Sequence, residues 1–207
     1  MKQVVNPKET TRAEAFEMWM KSPMPMVTLV KTFDVTWLRK VSRRRGLKFN
    51  MLLCWCIGKA ASSIEEFYML PENGVLVKSD RIAINVIVEN AKGGISNCDI
   101  PYCSNLEQFC RNYEKLTMES SASCKNIIDD DAVIVGTSAV VGTELDCIVN
   151  QYSGIYNNPF LVWGRYKRHW FRTTLTISFQ FHHAQMDGRH AAQFLEKLQE
   201  AIKGILR

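Results

Sequence analysis

The spacing of apolar residues along the chain predicts where its helices lie. Over residues 49–64 they recur every three or four positions, which predicts a core helix of about four turns. Three other segments are also typical of helices: residues 12–20, ended by Pro23 and Pro25; residues 104–118, with Ser104 as N-cap; and the amphipathic stretch after Gly188. Four helices are therefore expected.

Other segments alternate in polarity or carry runs of β-branched residues, as strands do. Residues 173–181 place Leu175, Ile177, Phe179 and Phe181 on one side, and residues 132–141 form a β-branched run suited to a buried strand. Shorter strands are predicted at 26–33, 75–78 and 82–88, with a turn at 71–74 and a loop over 119–131. The order α-β-α-β-β-α-β-β-α predicts one α/β domain over residues 1–207, a sandwich with a mixed sheet.

Composition supports a folded protein in a reducing compartment. The chain has 207 residues, 46% apolar and 23% charged, which suffices for a sizeable core. No run of 18 apolar residues is present, and the first 16 residues lack the features of a secretory signal, so we expect a cytoplasmic protein with no membrane partner. The seven cysteines contain no C-x-x-C pair, which predicts reduced thiols and no structural zinc site.

The charge balance narrows the class of partner. The net charge of +5 is densest at residues 43–45 and 165–172, and such clusters suit an anionic ligand. They form no basic stripe along a helix and carry no repeated stacking aromatics, so a nucleic-acid partner is not expected. A small anionic molecule fits the pattern better.

The densest set of reactive groups lies between the last strand and the last helix, at residues 180–188. His183 is a usable base at neutral pH, and Asp187, four residues on, can organise it. Three other interpretations stay open: a buried histidine pair without catalytic role, a metal site of His183, Asp187 and His190, and Asp187 as a helix N-cap. Gly188 interrupts the turn that a metal site would need, which makes that site the weakest of the three.

The string from Gln180 to His190 resembles a family signature. It matches Q-x-H-H-A-x-x-D-G-x-H of the chloramphenicol acetyltransferases at all seven fixed positions. The resemblance covers nearly the whole chain, including residues 33–36, 49–60, 101–102 and 164–166. It implies a two-layer fold of the coenzyme A-dependent acyltransferase type and a homotrimer with active sites between subunits. It also implies direct acetyl transfer from acetyl-CoA, a co-substrate rather than a bound cofactor, to a hydroxyl of chloramphenicol or a similar small molecule.

The resemblance also implies roles for individual residues. His183 corresponds to the base, Asp187 and Arg12 to a structural pair, and Ser138 to the donor that stabilises the oxyanion, with Thr137 as its rival. Tyr166 matches a position near the coenzyme, and the basic residues beside it, Arg165, Lys167 and Arg168, are candidates for its phosphates. His182 and Gln180 are interpreted as supports of the site.

The sequence departs from the family pattern around the acceptor and the coenzyme. Residues 140–143 replace a Pro-Trp pair that follows the serine in the family and lines the coenzyme side. Trp19 and Val27 stand at acceptor-lining positions, and Val162 replaces a threonine that orders a site water. These changes allow a different hydroxylated acceptor, because a few lining contacts set specificity. They also leave open a non-catalytic member that binds a ligand in the same cleft.

Overall fold

The computed structural model describes residues 1–152 and 154–206. The helices are α1 (Ala13–Trp19), α2 (Thr36–Arg45), α3 (Phe49–Ala61), α4 (Leu106–Ser123) and α5 (Gly188–Gly204), with short 3-10 helices at Pro7–Glu9 and Glu65–Tyr68. The strands are β1 (Gln3–Val5), β2 (Met26–Asp34), β3 (Met69–Glu72), β4 (Val75–Lys78), β5 (Ile82–Glu89), β6 (Ile95–Pro101), β7 (Val133–Val140), β8 (Phe160–Gly164), β9 (Lys167–Arg168) and β10 (Thr173–His182).

A mixed sheet forms the centre of the fold, in the order β2-β10-β8-β7-β5-β6, with β9 paired to β10. Strand β7 runs parallel to β5 and β8, while β10 runs antiparallel to β2 and β8. The apolar side chains of β10 predicted to share one face, Leu175, Ile177, Phe179 and Phe181, are all buried in the main core. The predicted α/β class and mixed sheet are confirmed.

Helices α2 to α5 contribute to the same core, so they pack on the face of the sheet that carries those apolar residues. Helix α3 is buried over most of its length, because its sequence is apolar on nearly every side. Ser138, Val162 and Ser178 form a row on the opposite face, since they are direct partners across β7, β8 and β10. The fold is therefore a helix layer on a sheet whose other face carries polar groups.

The thiols of the core are protected by their burial. All seven cysteines are free, and four of them, Cys54, Cys56, Cys98 and Cys110, are buried. Burial raises the pKa of Cys54 to about 12 and that of Cys110 to about 11, so both stay protonated at neutral pH.

Over residues 1–152 and 154–206, no helix is both long enough and apolar enough to span a bilayer.

The predicted turn at residues 71–74 is present but joins different strands. Asn73 and Gly74, both with positive φ, make the two-residue connection between β3 and β4, in a small second sheet ordered β1-β4-β3. The sequence prediction had missed β3, because Met69–Glu72 contains a proline and is too short for an alternating pattern. The turn therefore closes a hairpin rather than leading toward β5.

The predicted bounds of the middle helix are wrong at both ends. Asn105, not Ser104, is the N-cap of α4, and its side chain accepts a hydrogen bond from the Gln108 N–H at 2.9 Å. The helix continues to Ser123, through the first part of the predicted loop, and ends where Cys124 adopts a left-handed conformation. The polar Ser-rich segment is helical because the end of the helix is anchored by the Ser120 hydroxyl, which donates to the Lys125 carbonyl at 2.8 Å.

Candidate active site

His183 lies in the loop that joins β10 to α5, and its neighbours there are Pro25, Trp19 and Asp187. Its backbone N–H donates to the Pro25 carbonyl at 2.8 Å, and its imidazole stacks on the Trp19 indole with ring centroids 4.3 Å apart. Nδ1 is buried and lies 3.4 Å from Oδ1 of Asp187, too long for a formed hydrogen bond. The side chain is still 26% accessible, so its accessible part lies away from Nδ1, and Nε2 is the ring nitrogen that remains for a substrate.

The Asp187 carboxylate is held by Arg12 from the start of α1. Both guanidinium NH groups donate to it, at 2.6 and 2.8 Å, in a bidentate pair. Arg12 is 2% exposed, and it also donates to the backbone carbonyls of Ala184 and His183, at 3.2 and 2.8 Å. The Arg12 guanidinium lowers the pKa of Asp187, which keeps the carboxylate ionised beside His183.

Asp187 is also the N-cap of α5, so the capping interpretation applies together with the organising one. It forms a capping box with His190, whose Nδ1 accepts the Asp187 backbone N–H at 3.2 Å. The histidine, cysteine and carboxylate side chains of the described chain form no group of three that could hold a metal ion. Asp187 lies between Arg12, His183 and His190 at the start of α5.

His182 and Gln180 face the opposite side of the sheet from the apolar residues of β10. His182 is 1% exposed, and its Nδ1 accepts the Ala184 N–H at 3.0 Å. Burial, together with the neighbouring His183, lowers the pKa of His182 to about 4, so its ring is neutral at pH 7. Gln180 donates to the Asn150 carbonyl at 2.9 Å and to Oγ1 of Thr28 at 3.2 Å.

The two candidate hydroxyls of β7 point in opposite directions. Thr137 is buried, and its hydroxyl donates to the Asn85 carbonyl at 2.7 Å, which occupies it. Ser138 is partly accessible and lies on the other face, in the row with Val162 and Ser178. Of the two hydroxyls, Ser138 is the one available to a bound molecule.

The fold does not bring Ser138 near His183 within one chain. His183 is five residues beyond Ser178 on β10, and Ser138 is two strands across from Ser178. With the usual strand rise and spacing, the two Cα atoms are roughly 19 Å apart. The residues predicted to line the acceptor site also fall into two groups. Trp19 stacks on His183, and Val27 pairs with Phe181 close to it, whereas Val162 lies beside Ser138.

A cavity of about 820 Å³ lies where β8 ends and α3 begins. Its lining includes three of the predicted coenzyme residues, Arg165, Tyr166 and Arg168, and also Lys48, Phe49, Asn50, Tyr113, Val141, Glu144 and Gly164. Lys167 instead pairs with Asp146. Hydrogen bonding to Arg168 lowers the pKa of Tyr166, whose ring also lies 5.7 Å from the Arg39 guanidinium.

The sequence prediction missed Lys48, the N-cap residue of α3. A basic residue at a predicted helix start is a signal that could have been used, since exposed N–H groups and positive charge both favour anions there. Arg165 and Lys48, 117 positions apart in the sequence, line one cavity. The cavity combines three basic side chains with aromatic rings, and the positive charge favours an anionic ligand.

The comparison with known families decides the identity of the fold. The family model for chloramphenicol acetyltransferase matches residues 3–199. The chain belongs to the chloramphenicol acetyltransferase family. Chloramphenicol acetyltransferase 3 of Escherichia coli is 24% identical over 207 residues, covering 97% of this chain and 96% of that protein. A chloramphenicol acetyltransferase of Bacillus pumilus is 22% identical and covers 93% and 90%.

Solved structures show the same fold. A chloramphenicol acetyltransferase chain superposes with a TM-score of 0.83 at 19% identity, covering 98% of this chain and 100% of that one. A truncated catalytic core of the 2-oxoacid dehydrogenase multienzyme complex from Thermoplasma acidophilum gives a TM-score of 0.71 at 15% identity, covering 99% and 100%. The fold expected from the chloramphenicol acetyltransferase signature is thus confirmed, and the chain is an enzyme of an acyltransferase family.

Proposed function

We propose that this protein transfers an acetyl group from acetyl-CoA to a hydroxyl of chloramphenicol or a similar small molecule, with His183 as general base. The observation that carries the proposal is the fixed imidazole. Trp19 covers one ring face, Asp187 stands at Nδ1, and the Nε2 side is accessible. A base must present one unprotonated nitrogen to its substrate in a defined direction.

The Asp187 carboxylate favours the tautomer that this role requires. An ionised carboxylate only accepts hydrogen bonds, so it favours a proton on Nδ1 of His183 and leaves the lone pair on Nε2. Arg12 holds that carboxylate through two hydrogen bonds and holds the loop through two backbone carbonyls. A small closure of the 3.4 Å gap, when substrates bind, would complete the Nδ1–H to Oδ1 bond.

The proposed reaction is a direct transfer in a ternary complex. Nε2 of His183 takes the hydroxyl proton as that oxygen attacks the thioester carbonyl carbon, which forms the new C–O bond. The resulting oxyanion accepts a hydrogen bond from Ser138. Collapse of the tetrahedral intermediate breaks the C–S bond, and the thiolate of coenzyme A takes the proton back from His183. Loss of one such oxyanion donor lowers the rate by about 10²- to 10³-fold.

The distance between Ser138 and His183 supports a site shared between two copies of the chain. At roughly 19 Å the two residues of one chain cannot act on the same atom, because reacting groups must approach to about 3–3.5 Å. We therefore propose that His183 works with Ser138 of the partner subunit, in the homotrimer that the family resemblance implies. Val30 and Val140, which are 41% and 45% exposed at or near the uncovered sheet face, are apolar surface for such an interface.

The coenzyme is assigned to the cavity at the end of β8. Arg165, Arg168 and Lys48 would face its phosphates, and Tyr166 would contact its nucleotide end. Val141 lines the same cavity and lies three residues beyond Ser138, or roughly 10 Å along the strand. A pantetheine arm extending from this cavity can therefore reach the proposed oxyanion donor.

The test is thiol release from acetyl-CoA, measured with and without chloramphenicol. The wild-type enzyme should release thiol only when the acceptor is present, and His183→Ala should lower kcat by at least about 10²-fold. His169→Ala is the matched control, since His169 is exposed on the hairpin between β9 and β10 and should leave kcat unchanged. Equal turnover by His183→Ala and wild type would overturn the assignment of the base.

The acceptor itself is tested by the same assay. If chloramphenicol gives no thiol release while acetyl-CoA binds, a panel of other hydroxylated small molecules should reveal one that does. Val162 is the reason to expect such a change, because it places an apolar group where the family pattern has a threonine. Coenzyme binding without turnover on any acceptor would instead indicate a non-catalytic ligand-binding member.

A further inference from the structure

The 3-10 helix Glu65–Tyr68 lies against the loop that carries His183. One carboxylate oxygen of Glu66, Oε1, is 3.2 Å from Nε2 of His190, and each of the two side chains is only 11% accessible. On its other ring nitrogen, His190 receives the backbone N–H of Asp187 at 3.2 Å. The carboxylate of Glu66 is therefore connected, through one imidazole, to the backbone of the residue that faces His183.

These two contacts require one particular tautomer of His190. Nδ1 can accept the Asp187 N–H only if its lone pair is free, so the ring proton must be on Nε2. A carboxylate is an acceptor only, and Oε1 of Glu66 is placed to receive that proton. In the opposite tautomer, two N–H donors would face each other at Asp187, and a lone pair would face the carboxylate. Glu66 therefore selects the form of His190 that binds Asp187.

The same segment holds the loop at a second point. Gln185 is fully buried, and its side-chain NH₂ donates to the carbonyls of Glu66 and Met69, at 3.2 and 2.7 Å. The loop is thus attached to residues 66–69 on both sides of Asp187, at positions 185 and 190. Arg12 fixes the carboxylate of Asp187, and this second set of contacts fixes its backbone.

We propose that Glu66 is a positioning residue for His183, acting through the tautomer of His190 and the backbone of Asp187. The proposal rests on the proposed function, in which His183 is the base. Removal of the carboxylate allows His190 to change tautomer, which releases the Asp187 N–H and moves its carboxylate relative to Nδ1 of His183. Because rates depend steeply on such placement, the effect falls on the chemical step rather than on substrate binding.

Three variants test this in the full-length enzyme. Glu66→Leu should lower kcat by about 10- to 100-fold and leave both KM values within about twofold. Glu66→Gln should recover most of kcat, since its amide oxygen can still accept from Nε2–H. Glu65→Leu is the control: Glu65 is on the same 3-10 helix, 68% exposed, and pairs only with Lys78 among the described residues, so kcat should not change.

A second readout separates positioning from a general loss of structure. Imidazole nitrogen NMR should show His190 of the wild type with its proton on Nε2, and Glu66→Leu should shift that signature toward the other tautomer. An unchanged tautomer in Glu66→Leu, or a kcat no better in a folded Glu66→Gln than in Glu66→Leu, refutes the proposal. The NMR result does not need turnover. If His183→Ala proves fully active, the proposed function fails while the Glu66 contact is still measured.

Discussion

Two inactive variants should restore activity when their chains assemble together. His183→Ala removes the proposed base, and Ser138→Ala removes the proposed oxyanion donor. In one chain these residues are separated by five residues along β10 and two strands across the sheet, roughly 19 Å. No side-chain movement closes that gap, so the proposed active site draws one residue from each of two chains. A mixed oligomer then contains some sites with both groups intact.

The expected recovery follows from the assembly. In a cyclic trimer that contains both variants, about one interface in three joins the intact His183 of one chain to the intact Ser138 of the partner subunit. The purified mixed trimers should therefore reach about a third of wild-type kcat per site. Ser138→Ala alone should retain only about 0.1–1%, as expected for the loss of one oxyanion donor. The gain over the better variant is then at least about 30-fold.

The assay uses co-expression with two different affinity tags and tandem purification, so that only mixed oligomers are measured. Light scattering should give about 71 kDa for a trimer of 23.7 kDa chains, and thiol release gives the activity. The control pairs His183→Ala with the double variant His183→Ala/Ser138→Ala, which can form no complete site. If the isolated mixed oligomer is no more active than this control, the interfacial site is refuted.

Three further predictions concern stability. The pKa of His182 is about 4 in the folded protein and 6.5 in the unfolded chain, so between these two pH values only the unfolded chain binds the proton. The folded protein therefore loses about 3 kcal/mol of stability as the pH falls from 6.5 toward 4. Urea unfolding of His182→Gln should show a weaker pH dependence than that of the wild type. Gly58→Ala places a methyl group 2.3 Å from the Tyr102 ring and should lower the free energy of unfolding by about 1–3 kcal/mol. The double variant Gly58→Ala/Tyr102→Leu should recover part of that stability. An unchanged Tm in Gly58→Ala would contradict this contact. Trp170→Ser and Phe171→Ser should change stability by less than about 0.5 kcal/mol, because both side chains are more than 90% exposed; a large drop in Tm would mean that they are packed.

The elements that could be predicted from the sequence are those with a long, uniform pattern. Helix α5 and strand β10 carry a clear period over ten or more residues, helix α3 is a long and mostly apolar segment, and all three are present close to the expected bounds. Strands β6 and β8 and helix α2 were missed. Strand β8 has only five residues and is buried on both faces over most of them, so it shows no alternation. Tertiary pairing, rather than local pattern, decides such short elements.

For the site as well, residues close in sequence could be predicted from a local pattern, and residues distant in sequence could not. His183 and Asp187 are four residues apart, so a local motif can indicate both. Arg12 joins them from 175 positions away, and its place was expected only through the family resemblance. The contact of Glu66 with His190, and the place of Lys48 in the cavity at the end of β8, depend on how α3 and its flanking segments dock on the sheet. A local pattern can mark Lys48 as a basic residue at a helix start, but it does not show which residues lie beside it.

The two roles of Asp187 can be separated by choosing the substitution. Asn is as good an N-cap as Asp, so Asp187→Asn should keep the start of α5 and remove only the charge that pairs with Arg12. Arg12 lowers the pKa of Asp187 in the folded protein below its ordinary value of 3.8. The ionised Asp187 carboxylate therefore stabilises the fold fully above pH 3.8, and this stabilisation is lost as the pH falls through the folded pKa. The stability gap between wild type and Asp187→Asn, measured by urea unfolding, should therefore be full at pH 7 and shrink below pH 4. Asp187→Ala should lose about 1 kcal/mol more at every pH, since it also removes the cap. A gap that does not change with pH would mean that the pair with Arg12 contributes no charge-dependent stability.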